Sequence, residues 1–342
     1  MIPRRWAHIE PGEYAVVHQW MKEKPGQGGD AMREWEDRIA SFLGVSGAAA
    51  VNSGRQGLRI VLERLGITSG DEMIVPAYTL GEMLPFVQSL GVKLVPADID
   101  PETFNITPES VAARITEKTK AILALHIFGT PCDIEGIMAL AAQRGLLVIE
   151  DCAHALGATV NGRPVGSFGD AAAFSFCQDK IITTGGEGGM VVTNKKEIWS
   201  SVWSYKDHGK SYNAVYKSDI KPGPSFRWLH EFFGTNWRMT EMQAAIGRIQ
   251  LRKLKSWVEK RRHNAEILTQ AFINIPAFRV TMPPEDVYHA FYKYYVFLRP
   301  EMLKAGWDRE RVIVAINELG IPCFTGSCSE MYLEKAFHCN CP

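Results

Sequence analysis

No run of apolar residues in this chain reaches the roughly eighteen that a membrane span needs. The opening MIPRRWAHIEPGEY also lacks the continuous apolar centre of a secretory leader. Neither sign of charge dominates: 38 Lys and Arg stand against 38 Asp and Glu in 342 residues, with no long block of either. A general surface for nucleic acid or acidic membrane is therefore not expected, and an anionic ligand must be held by local geometry. Cysteine is sparse and odd in number, seven residues mostly in apolar contexts such as EDCAH and SFCQD. That argues against a disulfide framework and for buried reduced thiols in a cytoplasmic protein. Only the tail crowds Cys323, Cys328, Cys339 and Cys341 together, and their spacing matches no common zinc pattern, so no metal centre is expected. Internal repeats and low-complexity tracts are missing too.

What is present is a recurring short apolar run. GAAAVNSG, EMIVPAYT, VKLVPADI, AILALHIFG, LLVIEDCAH, AAAFSF and GGMVVTN read as seven strands. Most are separated by helix-period segments such as RQGLRIVLERLG and IEGIMALAAQRG. Strands apolar on both faces, alternating with helices, predict an α/β architecture around a mostly parallel sheet covered on both sides. After about residue 200 the chain turns aromatic, polar and Gly/Pro-rich, from Trp203 to Trp237. One long amphipathic stretch, TEMQAAIGRIQLRKLKSWVEKRRHNAEILTQAF, then follows. The expected organisation is an N-terminal arm over 1–30 and a large domain over 31–250. A bridging helix over 251–275 leads to a smaller C-terminal α/β domain over 276–342 that looks incomplete.

Ligands of parallel sheets gather at the carboxyl ends of the strands, so the residues there carry the functional argument. Ser53, Gly54 and Arg55 end the first strand and run straight into a helix. A helix start of this kind can cradle a phosphate, with Gly54 allowing close backbone approach and the Arg55 guanidinium within reach, although a plain serine N-cap also explains it. Glu150 and Asp151 end the strand LLVIED. A carboxylate there either caps a nearby helix or binds a protonated pyridine nitrogen and makes that ring a better electron sink. Ser175 and Lys180 follow AAAFSF, and the glycines of GGEGG then precede a strand. A dinucleotide fingerprint needs its glycines between a strand and a helix, so a nicotinamide-dependent dehydrogenase is disfavoured. Pyridoxal phosphate would use all three pieces: a cradle for its phosphate, an acid for its ring nitrogen and an amine for its aldehyde. Such an amine must be uncharged to attack, which desolvation near other cations favours.

The blocks VNSGRQGL, VPAYTLGE, GVKLVPADIDPETFNI, HIFGTPCDIEGI, VIEDCAHALGATVNGRPVGSFGDAAAFSF, KIITTGGEGGMVVTN, HGK and GTNWRMTEMQAAIGRIQL occur in this order between about Glu34 and Phe337. With them the chain resembles the nucleotide-sugar aminotransferases of the DegT/StrS type, fold-type I pyridoxal 5'-phosphate enzymes. The resemblance implies that Lys180 is the cofactor's attachment lysine and that Asp151 partners the pyridine nitrogen. Ser53, Gly54, Arg55 and Ser175 then hold the phosphate, and His154 lies beside the ring. Relatives often carry threonine where this chain has Arg55. Asn236 and Arg238 fall in the segment that relatives extend across a dimer interface to the neighbour's cofactor, which implies a homodimer with shared sites. Relatives place tryptophan or phenylalanine after the threonine of P-x-x-T to stack on the ring. Here that residue is Leu80, with Tyr78 expected on the same face by strand alternation.

The implied activity is amino transfer from L-glutamate to a nucleotide-linked keto sugar. Two alternatives are a pyridoxal-phosphate-dependent sugar dehydratase, in which relatives have histidine at the lysine position, and a non-catalytic or regulatory homologue. His126 and His208 are expected to be structural, and Trp6, Trp20 and Trp35 to pack.

Overall fold

The computed structural model describes residues 9–22, 30–81, 87, 89–217, 229–326 and 335. Twelve strands among the described residues are numbered in chain order. They are β1 Gly47–Val51, β2 Glu72–Pro76, β3 Lys93–Ala97, β4 Thr119–Leu125, β5 Leu147–Asp151, β6 Thr159–Val160, β7 Arg163–Pro164, β8 Ala171–Ser175, β9 Gly189–Thr193, β10 Phe278–Val280, β11 Val287–Tyr288 and β12 Val296–Leu298. The seven apolar runs of the sequence are β1 to β5, β8 and β9, and they form one sheet in the order β1-β9-β8-β5-β4-β2-β3. The pairs among β2, β3, β4, β5 and β8 are parallel, whereas β9 runs antiparallel to both β1 and β8.

Alternation along each strand sorts side chains onto two covered faces, as strand geometry requires. Ala48, Ala50, Ile74, Ile122, Ala124, Val148, Phe174 and Val192 point into one core. That core is closed by the helices Asp30–Leu43, Ile134–Arg144 and Glu241–Phe272 through Trp35, Ile39, Ile137, Leu254 and Val258. Ala49, Val51, Met73, Val75, Leu123, Ile149, Ala173 and Val191 point into the other, which is closed by Leu58 and Val61 of the helix Gly54–Arg64 and by Val202 and Trp203 of the helix Lys196–Lys206. Each helix contributes one apolar stripe, so both sheet faces are dry and the polar groups are left to the strand ends.

The long amphipathic stretch is one helix of 32 residues, Glu241–Phe272, about 48 Å in length. Its start is fixed by a capping box in which the Thr240 hydroxyl accepts the Gln243 N–H and the Gln243 side chain accepts the Thr240 N–H. It thus begins well before residue 251. Beyond it, β10 pairs with β12, the helix Arg309–Glu318 follows, and β11 crosses back to join the β6–β7 hairpin. The segment between β11 and β12 is thereby laid over the ends of the main strands. No helix among the described residues is long and apolar enough to cross a membrane.

Candidate active site

Three strand ends meet because β9 runs against its neighbours. Its first residue, Gly189, is paired with Val51 at the end of β1 and with Ser175 at the end of β8. A Cβ on Gly189 would lie 2.5 Å from the backbone of Ser53 and Gly54, and one on Gly54 would lie 2.9 Å from the Ser175 Cβ. Only glycine at both positions lets the Ser53 turn close onto Ser175. Ser53 is the N-cap of the helix Gly54–Arg64, its Oγ accepting the Gln56 N–H at 3.3 Å, so the simple capping role is real. The helix start, with its outward N–H groups and positive dipole end, is aimed at the same small space. Arg55 is exposed at this turn.

Asp151 ends β5, next to β8, and is 1% exposed. Its Oδ1 accepts the Ala153 N–H at 2.9 Å, while Oδ2 has no hydrogen-bond partner among the described residues. Burial pushes this carboxyl above its ordinary value, opposed by the Ala153 hydrogen bond and by the positive charge of Lys180. Lys180 itself is 8% exposed, its Nζ 3.8 Å from Asp179 Oδ1 and 4.9 Å from the centre of the Tyr292 ring. Most lysines keep the ammonium in water, and this one does not. His154 is buried, stacks on Tyr292 with ring centres 4.3 Å apart, and leaves Nδ1 without a partner among the described residues. Burial, together with the charges of Lys180 and Lys293, drives His154 well below the usual imidazole value, so the ring is neutral.

Asn236 and Arg238 are placed differently. Their segment is tied to the end of β1, with Asn52 N–H donating to Trp237 O at 2.9 Å and a bridge between Val51 and Arg238. Their exposed side chains engage each other and Asp207, the Arg238 Nε donating to Asn236 Oδ1 at 3.1 Å and its guanidinium lying 3.2 Å from Asp207 Oδ1. Tyr78 and Leu80 do not share a face. β2 ends at Pro76, so alternation stops before either residue; Tyr78 packs with Phe104 and Phe128, and Leu80 packs into the core around Val191. Sequence reasoning missed Asp179 and Tyr292, which flank Lys180, and Lys293, which pairs with Asp179. The cluster HAFYKYY is unusually aromatic, but nothing in its spacing says that it folds over a loop more than a hundred residues earlier.

One further buried cluster has the make-up of a metal site. His126, Glu150 and Cys152 bring potential ligand atoms within 4.8 Å of one another. Their capacity is already used. Glu150 accepts from His126 Nε2 at 3.0 Å, Gly166 N–H at 2.7 Å, Phe168 N–H at 2.9 Å and Gly169 N–H at 2.7 Å. His126 Nδ1 accepts the Cys132 N–H at 3.2 Å, which fixes the proton on Nε2. Burial pushes the Cys152 thiol up to about 12. Of the thiols expected to be buried and reduced, Cys152 of EDCAH is buried and free, as is Cys132, whereas Cys177 of SFCQD is free but only half-buried because it sits in the loop after β8; Cys323 is a half-buried free thiol, and Cys328, Cys339, Cys341 and Trp6 lie outside the described residues.

The unmet Oδ2 asks for a donor, and a protonated pyridine nitrogen supplies one where a buried amine and a helix start already face the same strand ends. Fold and residues together define a pyridoxal 5'-phosphate enzyme of the fold-type I class. Residues 8–335 match the model of the DegT/DnrJ/EryC1/StrS aminotransferase family, and the chain belongs to that family. It is 37% identical over 290 residues to the GDP-perosamine synthase of Caulobacter vibrioides, covering 84% of this chain and 74% of that one. An aminotransferase structure from Psychrobacter cryohalolentis superposes with a TM-score of 0.92 at 46% identity, over 97% of this chain and 86% of the other. A GDP-4-keto-6-deoxymannose-3-dehydratase, bound to GDP-perosamine, superposes with a TM-score of 0.82 at 28% identity, over 93% and 84% of the two chains.

Proposed function

We propose that this chain moves an amino group from L-glutamate to a nucleotide-linked keto sugar, with Lys180 and Asp151 as its catalytic residues. The observation that carries the reading is the buried, unmet Oδ2 of Asp151 in the field of a buried lysine. Pyridoxal phosphate, when bound, supplies the electron sink for charge that develops at the substrate carbon. Asp151 Oδ2, which lacks a partner among the described residues, would accept the ring N–H and keep that proton in place. Ser53, the Gly54 and Arg55 turn and Ser175 would hold the phosphate at the start of the helix Gly54–Arg64. His154, neutral and fixed against Tyr292, would lie beside the ring and add no competing charge. Lys180 is the residue that would anchor the cofactor, and its amine would be the group that takes and returns a proton at the reacting carbon. The dry core on both faces of the sheet and the Tyr292 segment keep water from that amine.

The sugar-nucleotide acceptor is supported by the names of the relatives, GDP-perosamine synthase among them, and the glutamate donor by the family resemblance. Asn236 and Arg238, exposed in the single chain and poised at the end of β1, are assigned to a second copy's cofactor in a homodimer. A lysine at position 180 is what a transaminase needs, and it disfavours the dehydratase. The test is direct. Protein loaded with pyridoxal phosphate turns yellow, borohydride fixes the label on Lys180, and glutamate bleaches the unreduced form. Assay with a panel of nucleotide keto sugars then returns an amino sugar. A Lys180→Ala variant that still transaminates would refute the assignment.

A further inference from the structure

The N-terminal helix Pro11–Lys22 packs on the helix Glu241–Phe272 by an unusual contact. Its one buried residue is a carboxylate, Glu13, 1% exposed, while Val16 and the other apolar side chains of the helix are at most half-buried. A helix held by hydrophobic burial presents an apolar stripe instead. Burying a carboxylate is costly unless it is paired and hydrogen-bonded. Glu13 is both: Lys253 Nζ lies 2.7 Å from Oε1 and 2.9 Å from Oε2, and the Glu10 N–H donates to Oε2 at 3.2 Å. A further donor is the fully buried amide of Gln250, whose Nε2 lies 2.7 Å from Glu13 Oε1.

That bond decides which way round the Gln250 amide sits. An ionised carboxylate only accepts, so it takes the NH2 end and leaves Oε1 turned away. Gln250 Oε1 accepts the N–H of Thr183 at 3.3 Å. Thr183 is buried, three residues past Lys180, and it fastens the loop between β8 and β9. Its hydroxyl donates to Phe176 O at 3.1 Å and accepts the Gly186 N–H at 3.1 Å, so the two arms of the loop are tied at one side chain. Without Gln250 Oε1 in that orientation, a buried backbone donor loses its acceptor.

We propose that Glu13 is a positioning residue for the loop that carries Lys180, acting through Gln250. The N-terminal helix is thereby a strut of the active site and not only a cover for the helix Glu241–Phe272. That the strut serves catalysis rests on Lys180 being the attachment lysine.

Hydrogen exchange on the full-length apoprotein, read by mass spectrometry over residues 176–188 and over β4 and β5, tests the link. Glu13→Leu removes the acceptor for the Gln250 amide, while Lys253 keeps Glu10 as a partner at 2.6 Å. Exchange in the loop should rise by about tenfold, the worth of one hydrogen bond, with β4 and β5 unchanged. Gln250→Glu sets two carboxylates face to face and should loosen the loop as well. The double variant Glu13→Gln with Gln250→Glu again matches a donor to an acceptor at both contacts, and it should restore protection. If Glu13→Leu does not fold, the comparison of Gln250→Glu with the double variant decides. In a titration with pyridoxal phosphate followed by borohydride, the loosened variants should need up to about tenfold more cofactor for half-maximal labelling of Lys180. Loop exchange that stays put or rises evenly with that of β4 and β5, a double variant that restores nothing, or labelling indifferent to a loosened loop overturns the proposal. Wild-type protein that takes no label on Lys180 overturns the attachment reading, whereas a labelled wild type with unchanged loop exchange in the variants overturns this inference alone.

Discussion

Glu150 and Asp151 are neighbours on β5, both buried carboxylates at 0% and 1% exposure, and they face opposite treatment. Glu150 receives four donors, one from His126 and three from the backbone turn at Gly166, Phe168 and Gly169. Asp151 receives one and leaves an oxygen unmet. Burial works against charge in both. For Glu150 the His126 hydrogen bond and the backbone donors win, so its carboxyl lies below the ordinary value; for Asp151 burial wins, and its carboxyl lies above. A buried carboxylate with every lone pair satisfied is part of the fold. One that is left short holds a place for something else.

The largest effect expected from this contrast is on Glu150. Glu150→Ala strands the His126 ring and three N–H groups in the core, a loss of about 3–5 kcal/mol in a denaturant titration. Linkage gives the matching pH dependence. A carboxyl whose folded value is depressed contributes stability that is present above its unfolded value and is lost as pH falls through the folded one. The acid-side loss of stability should therefore be shallower in Glu150→Ala than in the wild type. If the variant melts with the wild type at neutral pH, Glu150 is not the structural member of the pair.

Asp151→Asn comes next and should split stability from activity. A carboxyl raised by burial weakens the fold as pH rises through its unfolded and then its folded value. Removing that charge should raise the melting temperature of the apoprotein at neutral pH, with the gain fading below the ordinary aspartate range. The same change removes the anion that holds the ring proton and should lower kcat by about a hundredfold. An apoprotein destabilised at neutral pH, with transamination intact, would erase the distinction between the two residues.

The sequence displayed the scaffold clearly because strands buried on both faces write themselves as short unbroken apolar runs, and all seven are in the sheet. Position on a strand end was equally legible for Ser53, Asp151 and Ser175, since a motif that joins strand to turn carries its own geometry. Two things were not legible. The first is the division of labour between Glu150 and Asp151, because the donors to Glu150 lie in a turn sixteen to nineteen residues away. The second is the partnership of Asp179 with Tyr292 and Lys293, which depends on β11 joining the β6–β7 hairpin. The expectation for Tyr78 and Leu80 failed for a local reason: alternation was extended past Pro76, where the strand has already ended.

Histidine repeats the contrast on a smaller scale and gives the mildest test of it. His126 has both ring nitrogens occupied, Nε2 by Glu150 and Nδ1 by the Cys132 N–H, whereas His154 keeps Nδ1 unmet. His154 is held by its stack on Tyr292, and the two lysine charges with burial keep it neutral across the working range. His154→Phe preserves a flat ring against Tyr292 and discards only the nitrogens. Stability of the apoprotein should then hold or rise slightly, because an unmet polar atom leaves the core. Steady-state kcat should fall by no more than about tenfold, the worth of one hydrogen bond. The pH profile should keep its shape, since a ring that is already neutral sets neither limb. A limb that disappears in His154→Phe would mean that the imidazole titrates during turnover, and an unmet nitrogen would then mark an acid or base instead of a contact.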